Sequence, residues 1–145
     1  YGWTLIDDSN SKDMFMDMIR QMDMSYSYKP VLIKAVMTYA DDKGRIKLED
    51  IVNYFRTYYE GRRAAGVKVE KANSIFAKGG YTDKEAERNI LSNPFKRFED
   101  MQMLRHTKTL GIVQVDESVW KNLSKEEKTE IEKICDAKLT EYYNR

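Results

Sequence analysis

Apolar positions recur at spacings of three and four in several separate runs, with polar punctuation between them. In SKDMFMDMIRQMDM, 11–24, Met14, Phe15, Met18, Ile19 and Met22 share one face and Ser11 stands where a cap belongs, which predicts an amphipathic helix. PVLIKAVMTYAD, 30–41, opens on Pro30 and is apolar nearly all round except at Lys34 and Thr38, so this helix should be central. DDKGRIK then reads as a tight turn at Gly44 and a short strand around Ile46. A third helix follows over 48–63, with Leu48, Ile51, Val52, Phe55 and Tyr59 as its apolar face and a stop between Gly61 and Gly66.

Residues 67–81 break this periodicity. Val67, Val69, Ile75 and Phe76 lie among glycine, asparagine and lysine, the pattern of a long ordered loop. TDKE at 82–85 is a capping box for a helix through Ala86 and Ile90, and Pro94 either kinks that helix or begins another. In NPFKRFEDM, Phe95 and Phe98 are three apart and should point inward, leaving Lys96 and Arg97 outward. Two extended runs, around Leu104 and over Ile112 to Val115, flank Gly111 and read as a β-hairpin. SKEE at 124–127 is a second capping box, and Ile131, Ile134, Cys135, Leu139 and Tyr142 face the last helix inward.

Helix, short strand, helix, loop, broken helix and hairpin is the element order of a winged helix. The fold class expected is therefore mainly α (α+β): a winged-helix-like domain over 28–145 with a small hairpin and a C-terminal helix, preceded over 1–27 by an arm and an amphipathic linker helix. A chain of 145 residues suffices for one core. It opens without an initiator methionine and reads as a piece of something longer. No apolar run is long enough for a bilayer span, and one cysteine, Cys135, cannot make an internal disulfide, so a cytoplasmic protein with no membrane contact is expected.

Catalytic patterns are missing. His106 is the single histidine and has no local nucleophile beside it, and one histidine with one cysteine cannot supply an ordinary zinc site. AKGGYT at 77–82 lacks the Gly-Lys-Ser/Thr ending of a phosphate loop, although its glycines can bring backbone N–H groups near a phosphate. The pairs Asp41–Asp42, Glu49–Asp50 and Glu126–Glu127 fall in a turn or at helix starts, where capping accounts for them. The reading is no enzyme, no metal and no cofactor.

Charge is uninformative in total, at +1, but not by segment. Residues 61–108 hold eleven Lys and Arg against six Asp and Glu, a net +5, whereas the rest of the chain is neutral or acidic. That excess falls on the elements a winged helix presents to DNA. Lys78, Lys84, Arg88, Lys96 and Arg97 are the expected groove and phosphate contacts, with Arg105, His106 and Lys108 on the wing. The partner expected is DNA, or RNA, through residues 78–108. A protein-interaction or interdomain scaffold, using the methionine-rich helix and Tyr54, Tyr58 and Tyr59, is the competing reading.

SYKPVLIKAV, LEDIVNYFRTYYEGRR, VEKANSIF and ERNILSNPFKRFEDM together resemble the region beyond the motor in bacterial superfamily II helicases of the DEAD/DEAH and restriction type. The likeness covers residues 27–123. It implies an accessory DNA-binding or positioning domain that works beside the remaining domains of a parent protein coupling ATP hydrolysis to translocation. It supplies no contact residue, and none of the parent's ATPase motifs is in this chain.

Overall fold

The computed structural model describes residues 10–145. Helix α1 (Ser11–Gln21) and the central helix α2 (Tyr28–Tyr39) are followed by strand β1 (Arg45–Lys47) and helix α3 (Leu48–Ala64). A single turn, α4 (Ile75–Lys78), interrupts the long loop. Next come α5 (Asp83–Ser92), α6 (Pro94–Asp100), β2 (Leu104–Thr107), β3 (Ile112–Val115), α7 (Glu117–Asn122) and α8 (Lys125–Tyr143). The architecture is mainly helical, with one three-stranded antiparallel sheet in the order β1-β3-β2.

As its composition requires, α2 is central: Val31, Leu32, Ile33, Ala35 and Val36 are all buried, and the helix packs on α3 and α8. Helix α1 sends Phe15, Met16 and Ile19 into the same core and lies on α7 and α8. The β1 turn is fixed by a close approach. Gly44 has φ +78°, and a Cβ there would stand 2.8 Å from Trp120 Cγ, while the Trp120 indole N–H donates to the Asp41 carbonyl at 3.1 Å.

The 65–81 segment is ordered by side chains from elsewhere. Phe76 is fully buried with its ring centroid 4.7 Å from Tyr59, 4.9 Å from Tyr81, 5.7 Å from Tyr28 and 5.8 Å from Phe55. The Arg63 guanidinium donates to the carbonyls of Phe76 and Ala77, and Arg62 Nε to that of Lys68. Glu70 is buried, and its carboxylate accepts from the Ser27 N–H at 2.8 Å, the Ser27 hydroxyl at 2.5 Å, the Lys71 N–H at 2.8 Å and the Tyr142 hydroxyl. Tyr59 in turn bonds the Ser27 oxygen at 2.6 Å, and Tyr143 donates to the Val69 carbonyl at 2.7 Å. One carboxylate thus ties the loop to the start of α2 and the end of α8.

Candidate nucleic-acid interface

Helix α5 begins at the capping box its sequence specifies. The Glu85 N–H donates to Thr82 Oγ1 at 3.1 Å and the Thr82 N–H to Glu85 Oε1 at 2.9 Å, which holds the Glu85 carboxyl below its ordinary range. Ala86 and Ile90 are buried against the core, so Lys84 and Arg88, four apart, share the outer face. Asp83 is engaged by Arg56 of α3, whose guanidinium also lies 4.8 Å from the centre of the Tyr81 ring. Lys78 is exposed where α4 ends.

Pro94 starts α6 in its first turn rather than kinking α5, since Asn93 adopts φ −118° and ψ −85°, outside the helical range. Phe95 and Phe98 point inward as their spacing requires, and Lys96 and Arg97 are exposed. The two cations differ in surroundings. Lys96 is paired with Asp100 at 2.7 Å, one turn on, which raises its pKa. Arg97 lines a cleft of about 350 Å³ between α6 and α1, with Met14, Met18, Asp17 and Asp23. The structure therefore sets Arg97 toward α1.

The chain turns from α6 into β2 through Gln102, a non-glycine residue at φ +61°. The Met103 N–H donates to the Phe98 carbonyl and the Gln102 N–H to that of Glu99, closing the helix in a Schellman motif. On β2 the side chains alternate. Leu104 is buried and His106 faces the same inner side, its ring 6.2 Å from Phe95 and nearly perpendicular to it, whereas Arg105 and Thr107 are exposed. Lys108 and Leu110 occupy the exposed 3₁₀ turn that joins β2 to β3, and Gly111, at φ +62°, closes it. The Leu48 N–H donates to the Gly111 carbonyl at 2.9 Å and secures the turn to α3.

Of the eleven cations in the basic segment, several have structural partners. Arg62 stacks 3.5 Å from the centre of the Tyr143 ring, Arg63 holds α4 and Glu60, and Lys71 lies over Tyr26. Lys78, Lys84, Arg88, Arg105 and Lys108 are exposed and, among the described residues, form no ion pair. Two further exposed cations, Arg45 and Lys47, flank buried Ile46 on β1. The alternation of burial along β1, with Ile46 inward, sets these two side chains outward.

No group of His, Cys, Asp and Glu among the described residues is arranged to hold a metal ion. Cys135 is buried on α8, and burial pushes its thiol up to about 12. Because the thiolate is the reactive species, iodoacetamide at mildly alkaline pH is expected to modify the unfolded chain at least about 100-fold faster than the native one, by intact-mass analysis. Comparable rates would place Cys135 at the surface. Among the described residues no helix is long and apolar enough to cross a membrane. Comparison of the chain with protein-family models, with curated proteins and with solved structures finds no match.

Proposed function

We propose that residues 28–145 form a winged-helix-like domain and that the chain is a non-catalytic nucleic-acid-binding accessory unit of a larger bacterial helicase or restriction-type protein, acting in the cytoplasm. One observation carries this reading: the sheet order β1-β3-β2, with α5 and α6 leading directly into the β2–β3 hairpin. Exposed cations stand on both parts, Lys84 and Arg88 on α5 and Arg105 and Lys108 on the hairpin. In a winged helix those are the elements that meet duplex grooves and phosphates. Four cations neutralising four phosphates give a log–log salt slope near −3.6.

The scaffold reading draws on the methionine-lined cleft between α1 and α6. It is weakened because Tyr59 is fully buried and α1 spends Phe15, Met16 and Ile19 on the core.

Fluorescence anisotropy of a labelled duplex across a salt series tests the proposal. Wild-type protein is expected to bind with a slope near −3.6, and Lys84→Ala/Arg88→Ala to lose about 1.8 of that slope. An unchanged slope in the folded double variant, or no binding at low salt, refutes it.

A further inference from the structure

The register of the sheet brings together cations that lie far apart in sequence. Arg45 pairs with Gln114 and Gln114 with Arg105, and the next row runs Lys47, Ile112, Thr107. Ile46, Val113, Val115 and Leu104 are buried on the opposite face, so Arg45, Lys47 and Arg105 project from the outer one. Two strand spacings, about 10 Å, separate Arg45 from Arg105. A cavity of about 350 Å³ opens on this face, lined by Tyr39, Arg45, Lys47 and Ile112 together with Asp41 and Asp50. Tyr39 is 50% exposed, while Asp41 is engaged by Arg45 and by the N–H groups of Lys43 and Arg45. Lys47 and Arg105 form no ion pair among the described residues.

We propose that this outer sheet face is a second nucleic-acid surface, one that holds a single strand, with Lys47 and Arg105 on its phosphates and Tyr39 stacked on a base. The ligand class rests on the proposed function; Arg105 is common to both surfaces, whereas Tyr39 and Lys47 belong to this one alone. The choice of a single strand follows from Tyr39. A duplex keeps its base faces stacked on one another, whereas an unpaired strand offers each base's π-face to an aromatic side chain. The rest of the face fits such a strand: Lys47 and Arg105, which form no ion pair among the described residues, track the backbone, and Gln114, beside Arg105 in the register, is held by its amide donating to the Lys43 carbonyl at 2.8 Å.

The test uses the whole chain with labelled oligothymidine of about 15 nucleotides beside a duplex. Tyr39→Ala is expected to weaken oligothymidine binding about 5- to 30-fold and to leave duplex binding within about twofold. Tyr39→Phe should keep the wild-type affinity. Lys47→Ala/Arg105→Ala should remove about 1.4 from the single-strand salt slope. If oligothymidine binding survives Tyr39→Ala in protein of native circular dichroism, and instead falls in Lys84→Ala/Arg88→Ala, the single strand runs over α5 and the second surface is refuted while the duplex reading stands. Failure of wild-type protein to bind either probe refutes both.

Discussion

Replacing Glu70 with alanine is expected to lower the unfolding free energy by about 3 kcal/mol. The carboxylate sits 4% exposed at the meeting point of three segments, and the donors aimed at it include the Ser27 N–H, the Ser27 hydroxyl and the Tyr142 hydroxyl. Alanine removes the acceptor but not the donors. A buried donor stripped of its partner costs on the order of 1–3 kcal/mol. Relief from burying the carboxylate offsets part of the sum. Glutamine retains the shape and one acceptor oxygen, so Glu70→Gln should cost less, about 1–2 kcal/mol. Urea titrations of the two variants and the wild type measure the difference through their midpoints at constant slope. Equal midpoints for wild type and Glu70→Ala would show that the carboxylate does not hold the start of α2, the loop and the end of α8 together.

Phe76→Ala has an effect of similar or greater size, about 3–5 kcal/mol, the cost of emptying a fully buried aromatic site. In a chain of this length that corresponds to a fall in Tm of about 8–16 °C. The ring is enclosed by Tyr28, Phe55 and Tyr59 on α2 and α3, which remain packed without it, and by Tyr81 of the loop itself, so the helix side of the site cannot collapse far. A second consequence is local. Residues 65–68 are exposed and α4 is a single turn, so Phe76 is the main apolar anchor of this stretch. Limited proteolysis of Phe76→Ala below its Tm should cut within 65–81 before any other segment. Cleavage at the same sites and rate as in the wild type would mean that the Arg63 and Glu70 hydrogen bonds alone keep the loop closed.

The helices were legible because their apolar faces repeat at helical spacing: α2, α3 and α8 lie where Val31 to Val36, Ile51 to Tyr59 and Ile131 to Tyr142 place them. Both capping boxes, at Thr82 and Ser124, mark true helix starts. Pro94 was ambiguous from local chemistry, and the Asn93 backbone shows it opening α6. Two short helices escaped the pattern. In α4 a four-residue turn is too short for periodicity and is formed through the Ser74 cap, the buried Phe76 and the Arg63 donors. In α7 the six residues carry only Val119 and Trp120 to the core. Glu70 was invisible because its partners, Ser27 and Tyr142, are 43 and 72 residues away.

The cations show the same division. Sequence spacing sets Lys84 and Arg88 on the outer face of α5, and the structure has them there. Neither the cleft beside Arg97 nor the inward turn of His106 toward Phe95 can be read from the chain, since both depend on which element packs alongside. The row of Arg45, Gln114 and Arg105 depends on strand register between segments far apart in the chain.

The most direct test of the central claim is a heteronuclear NMR titration of the isotope-labelled chain with a short unlabelled duplex, following backbone amides at increasing ratio. The nucleic-acid reading requires the largest shifts at Lys84, Arg88, Arg105 and Lys108, with α1 and the C-terminal half of α8 unperturbed. Shifts confined to the α1–α6 cleft, or none at low salt, would contradict it.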